Sequence, residues 1–235
     1  MSADASTLEA EPRPAIAGPW YVFGFVDRQV DGLPGGPLGA PVTVELEGVE
    51  AWAVVAETSA RGWDDAEPEI VARAAVHHDV VLRACVDANV LPARFGGTVP
   101  TLDDARALGE LQLDELRTAF DLVDGRDEWD VRLAARRAQV RAASGRDYLL
   151  GRRAQLAGDD EIGRAVASIV DRFPDSVVRT CASDAARLAV LADRHAIDRI
   201  QAAVGEAVDV EVVGPLPPYN FVRSVRDGAD ADGHA

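Results

Sequence analysis

From Glu128 to Val213 the chain changes its hydrophobic period in an order that few folds can satisfy. Glu128 to Leu133 (EWDVRL) alternates as a strand, Arg136 to Phe173 reads mostly at helical period, and Val177 to Ala182 and Ala185 to Leu191 read as strands. Ala196 to Ala207 reads as a short helix and Val208 to Val213 (VDVEVV) as a last alternating strand. Period two buries one face of a strand and spacings of three and four bury one stripe of a helix, so the order of periods is the order of elements. That order is β-α-β-β-α-β, the split βαβ plan of ferredoxin-like domains. The long helical stretch is interrupted near Ser144–Gly145 and Gly158 to Asp160, and Pro174 stops it.

The first half is built differently. Trp20 to Val26 (WYVFGFV) is aromatic and β-branched and reads as a buried strand, Asp31 to Pro41 as a Gly/Pro loop, and Val42 to Leu46 and Glu50 to Glu57 as further strands. The loop lacks the lysine and the following helix of a phosphate-binding loop. Glu67 to Ala88 reads as a helix whose stripe is Ile70, Val71, Ala74, His78, Val81, Leu82 and Cys85. Val90 to Val99 is extended. Thr101 with Asp104 resembles a capping box opening one helix with the stripe Leu102, Ala105, Leu113, Leu116, Phe120 and Val123, ended by Gly125.

With 235 residues the chain can form one large domain or two small ones, and needs no metal or disulfide to build its core. The balance of 24 basic and 40 acidic residues gives a net charge of −16, which repels nucleic acid and anionic membrane. Every basic residue is Arg, so no residue can serve as a Walker or Schiff-base lysine. Cys85 and Cys181 fit no metal or redox spacing, and His77, His78, His195 and His234 lack the i, i+4 partner of a helical metal pair. No Gly-x-Ser-x-Gly turn is present. These residues give no sign of catalysis and no reason for a cofactor. Residues 1–18 carry no basic start or apolar core of a signal peptide and read as a disordered arm, as do residues 226–235 as a tail. No run reaches the roughly 18 apolar residues of a membrane span. The expectation is a cytoplasmic protein.

Two stretches suggest contacts. Arg132, Arg136, Arg137, Arg141, Arg146, Arg152 and Arg153 fall close together on an expected helix with Asp147 among them. They either pair with acids of neighbouring elements or dock an acidic protein partner. The run Gly214 to Val222 (GPLPPYNFV) has three prolines that favour extended backbone, and Tyr219 and Phe221 point the same way. It either folds back and plugs its own domain or meets a partner.

Four segments resemble the gas vesicle protein family of the L/F type. Leu91-Pro92-Ala93-Arg94-Phe95-Gly96 is similar to the family's LPxRFG segment, with His78 standing where the family has a His before it. Gly145 to Leu149, with Tyr148, is similar to its G-x-x-YL segment, and Gly214, Pro217, Pro218, Tyr219 and Phe221 fall in the equivalent of its GPWPPYSFV end. The resemblance implies an α+β protein of two domains: 19–125, and 126–225 with a modified ferredoxin-like βαββαβ fold and extended extra helices. It implies a non-enzymatic accessory protein associated with gas vesicles, without cofactor, that binds the small apolar shell protein and other accessory proteins. The alternatives are a small-molecule-binding regulator and an enzyme whose site is unrecognised.

Overall fold

The computed structural model describes residues 19–58, 67–136, 144–182, 185–205 and 208–222. The expected arm and tail lie outside the described residues. The chain forms a mixed helix and sheet structure with two antiparallel sheets.

The first sheet has the order β2-β3-β1-β4, from β1 (Trp20–Val26), β2 (Val42–Glu45), β3 (Trp52–Glu57) and β4 (Val90–Pro92), with β5 (Thr98–Val99) also on β1. Strand β1 is buried along its whole length because helices cover both faces. Trp20, Val22 and Phe25 face α2 (Leu102–Leu111) and α3 (Leu113–Val123), where Ala105, Leu116, Ala119 and Val123 pack. Tyr21, Phe23 and Val26 face α1 (Glu67–Ala84), against Val80, Val81 and Ala84. The register slips between Val22 and Gly24 in the pairing with β3. That bulge explains why Phe23 and Phe25 lie on opposite faces although two residues apart. Gly24 is required there, since a Cβ would stand 2.6 Å from the Leu91 carbonyl oxygen of β4.

The second sheet has the order β7-β8-β6-β9, from β6 (Arg126–Ala135), β7 (Ser176–Cys181), β8 (Ala185–Asp193) and β9 (Val208–Leu216). Helices α4 (Gly145–Arg172) and α5 (Ile197–Ala203) cover one face. Trp129, Val131 and Leu133 of β6 pack there against Ile162, Ala165, Ile169 and Ile200, while Glu128, Asp130 and Arg132 point the other way.

Three expectations about helices need correction. The helix after Thr101 has the expected capping box, with the Asp104 N–H donating to Thr101 Oγ1 at 3.1 Å and the Thr101 N–H donating to Asp104 Oδ2 at 3.0 Å. It is two helices rather than one, broken at the buried Gln112, whose φ of −127° is not helical. The break lets α2 lie close on the Leu46–Glu47 backbone while α3 turns its own stripe onto the sheet. On α1 the buried stripe is His77, Val80, Val81 and Ala84, so Val71 and Leu82 face solvent and His77, not His78, is the core histidine. Finally, α4 runs unbroken through Gly158 to Asp160. One interior glycine costs only about 1 kcal/mol, and Ile162, Ala165 and Ile169 anchor the turns that follow.

Candidate interaction site

Where the two sheets meet, the end of the chain crosses from the second to the first. Gly214 begins the crossing against the Trp129 ring, where a Cβ would come within 2.8 Å of Cε3. Pro217 and Pro218 are buried and carry no N–H to leave unsatisfied. The Asn220 N–H donates to Glu128 Oε2 at 2.8 Å, its side-chain amide donates to Glu128 Oε1, and Arg179 donates to the Asn220 side-chain oxygen. Val222, fully buried, then enters the core beneath α2 and α3. The run thus folds back, as one expectation had it, with Asn220 bonded to the half it leaves and Tyr219 and Val222 packed in the first half of the chain.

Tyr219 lands on α1 beside an aromatic cluster. Its ring stacks on His78 at 6.0 Å, lies 6.4 Å from His77, and packs against the cluster of Tyr21 and Phe23. His77 is 3% exposed and is boxed by Tyr21, Phe23 and Phe95 with ring centroids 5.7 to 5.9 Å away. The Gly96 N–H donates to the Tyr21 hydroxyl at 3.2 Å, and that hydroxyl lies 2.8 Å from His77 Nδ1. The hydroxyl therefore bridges the Gly96 turn to the His77 ring and fixes both against β1. Burial pushes the Tyr21 hydroxyl up to about 12, against the opposing pull of the Gly96 N–H.

The site brings together three of the four segments singled out in the sequence. Leu91 and Pro92 are buried in β4, Arg94 is exposed, and Phe95 is half-buried against His77 rather than sealed between helix and sheet. Gly96, at a φ of 92°, makes the turn that aims its N–H at Tyr21. Phe221 is half-buried. The side chain of Tyr148 lies outside the described residues. Sequence reasoning missed His77, Tyr21, Glu128 and Asn220. The positions His77, Val80, Val81, Ala84 and Ala88 do carry helical spacing, but Ile70 and Val71 pulled the stripe one residue around.

The arginine cluster is not one helix face. Arg132 stands on β6, where its Nε donates to Asp130 Oδ2 at 3.1 Å and its NH1 donates to Glu211 Oε2 at 3.3 Å. Asp130 also takes two bonds from Arg187, at 2.7 and 3.0 Å. Arg136, just past β6, pairs with Asp209 at 2.6 Å. Strand pairing causes this, since Arg132 faces Arg187 on one side and Glu211 on the other. Arg146 is exposed on α4; the side chains of Arg152 and Arg153 on that helix, and all of Arg137 and Arg141, lie outside the described residues.

Chemically the junction joins the two halves through the Asn220–Glu128 bonds and the Tyr219–His78 ring contact. Among the described residues no group of three or more His, Cys, Asp or Glu could hold a metal ion. Burial, and then the Asp127 charge, push the Cys85 thiol up to about 12, so it stays protonated. Burial also raises Glu128 above its ordinary 4.5, against the Asn220 donors. A raised folded-state value means the folded protein holds that proton more tightly, so this carboxyl's contribution weakens as pH rises from 4.5 through the folded value. Glu128→Gln removes that slope. The stability of the wild type relative to the variant should fall across this interval in a melting series against pH; a constant or growing difference contradicts the assignment.

Two sheets whose ends are tied by a returning chain terminus define a mixed α+β class. The model of the gas vesicle synthesis protein GvpL/GvpF family matches residues 19–223, and the chain belongs to that family. The fold is similar to that of the gas vesicle protein GvpF from Anabaena sp. PCC7120, with a TM-score of 0.63 and 14% identity over 88% of this chain and 98% of that one. It is likewise similar to GvpF from Microcystis aeruginosa, with a TM-score of 0.61 and 13% identity over 87% and 98% of the two chains. No curated protein matches the chain. Among the described residues no helix is long and apolar enough to cross a membrane.

Proposed function

We propose that this protein is a non-enzymatic accessory factor of gas vesicle assembly, acting in the cytoplasm and at the vesicle. In this role it binds the small apolar shell protein and other accessory proteins, and neither nucleic acid nor membrane. The observation that carries the reading is the family match across residues 19–223, which span all the described residues. Physical logic supports it. A shell subunit that polymerises through apolar surface and strand edges is an aggregation hazard before assembly. A partner with a net charge of −16 can cover such surfaces and keep the complex dissolved.

The chain works as two domains, 19–125 and 126–225, tied by the terminal strap. The second is a modified ferredoxin-like domain with an extended α4; the antiparallel order β7-β8-β6-β9, with both helices on one face, supports this. The family-motif residues His78, Leu91, Pro92, Phe95, Gly96, Pro217, Pro218, Tyr219 and Phe221 hold the junction in shape. Docking of an acidic partner falls to Arg146, Arg152 and Arg153 on α4, because Arg132 and Arg136 already hold acids of their own sheet.

Capture of the shell protein by the tagged full chain tests the reading. A soluble complex is expected, and failure to retain shell protein at any salt concentration overturns it. Changing Arg146, Arg152 and Arg153 to Gln should slow capture of an acidic accessory protein and make it less salt-sensitive. Unchanged capture removes α4 from the docking surface.

A further inference from the structure

We propose that the solvent face of α1 is a docking surface for an amphipathic helix of another protein that carries a basic residue midway along its apolar stripe. The inward face of α1 is occupied by His77, Val80, Val81 and Ala84. On the opposite side Val71 and Val86 are each 64% exposed and Leu82 is 38% exposed. Ala72, Ala75 and Asp79 are exposed between them. Positions 71, 75, 79 and 82 follow one another at steps of three and four along about 17 Å of α1, and Val86, in the turn just past its end, extends the same ridge. Single exposed apolar residues need no explanation. A line of them on the outer side of a helix, interrupted by Asp79 alone, does, because that side of a surface helix is normally charged or polar throughout.

The charges choose the occupant. Glu69 pairs with Arg73 at 3.5 Å and Asp87 with Arg83 at 2.7 Å, so the flanking charges largely cancel. Asp79 leaves one negative charge at the centre of the ridge, in a chain of net charge −16. A cation on the incoming helix complements both. A second copy of this chain does not fit. The ridge runs from Val71 to Val86, so antiparallel self-pairing sets two Asp79 carboxylates across the dyad from each other. Nor do the chain's own ends supply the helix. Residues 1–18 bring Asp4, Glu9 and Glu11 against Arg13, and residues 223–235 have only Val225 as a large apolar residue. The small Ala72 and Ala75 let an incoming helix approach closely near the start of the ridge.

The surface is tested on the full chain by fluorescence anisotropy with two 18-residue helical peptides. Both have a leucine stripe at spacings of three and four and Ala and Gln elsewhere. One has Lys at the centre of the stripe, the other Glu. The Lys peptide should bind, and the Glu peptide should bind at least about tenfold more weakly. Asp79→Lys should reverse that order, and Leu82→Glu should abolish binding of both, with melting temperatures unchanged because both positions are exposed. Equal binding of the two peptides to the wild type overturns the proposal, as does binding that survives Leu82→Glu or no binding of the Lys peptide at all. Sedimentation supplies a further check: a wild-type dimer that Leu82→Glu dissociates assigns the ridge to a second copy instead. None of these outcomes depends on the vesicle role.

Discussion

A chain carrying Tyr219→Ala, Asn220→Ala and Val222→Ala together is expected to lose about 4–7 kcal/mol of stability, a large share of the roughly 5–15 kcal/mol that holds a protein folded. Val222 is fully buried, so its truncation removes transfer free energy and leaves a cavity. Tyr219 gives up its ring contacts with His77 and His78. Asn220 gives up both bonds to Glu128 and leaves that buried carboxyl without those donors, which costs more than the bonds themselves return. Because the strap ties one sheet to the other, the loss should also separate their unfolding, and one cooperative melting transition should become two. Thermal melting followed by circular dichroism reads both effects. A midpoint within about 2 °C of the wild type would show that the strap is not structural. Adding Glu128→Gln to Asn220→Ala should recover part of the loss, since a neutral amide tolerates the same burial better.

The strap also marks where sequence reading succeeded and where it stopped. Strands β6, β8 and β9 and helix α5 were legible because each alternates or repeats so as to bury one face, whereas β7 is half-exposed or exposed along its length. The run from Gly214 to Val222 stood out by its prolines and aromatics, yet its destination did not, since sequence spacing says nothing about which distant surface an extended segment reaches. His77 was missed for a related reason. A helix stripe read from apolar residues alone follows Ile70 and Val71, while the core of α1 is centred on a buried histidine bonded to Tyr21. The bulge in β1 was invisible because it depends on how closely β4 approaches Gly24. Of the arginines, Arg132 stands on β6 and Arg136 just past it rather than on the expected helix, and both pair with acids such as Glu211 and Asp209 that lie far away in sequence.

Two helical glycines should respond to the same substitution with opposite signs. Gly163 lies on the exposed side of α4, and a Cβ there meets nothing within 4 Å. Gly163→Ala should therefore stabilise by about 0.5–1 kcal/mol, the difference in helix propensity alone. Gly109 of α2 is buried, and a Cβ there would stand 2.4 Å from the Glu47 carbonyl oxygen and 2.8 Å from Leu46 Cβ. The approach is fixed from the other side as well, because the Glu47 N–H donates to the Arg106 carbonyl at 3.1 Å, three residues before the glycine. Backbone cannot swing aside as a side chain can, so Gly109→Ala must lift α2 off the β2–β3 turn. Lifting it disturbs Ala105, which packs on the same sheet. The strain outweighs the gain in propensity, and a net loss of about 2–3 kcal/mol is expected. For a chain of this size that lowers the melting temperature by about 4–12 °C, against a rise of about 1–4 °C for Gly163→Ala. If both variants melt higher than the wild type, α2 does not sit on the Leu46–Glu47 backbone, and the close packing that explains the break at Gln112 fails with it.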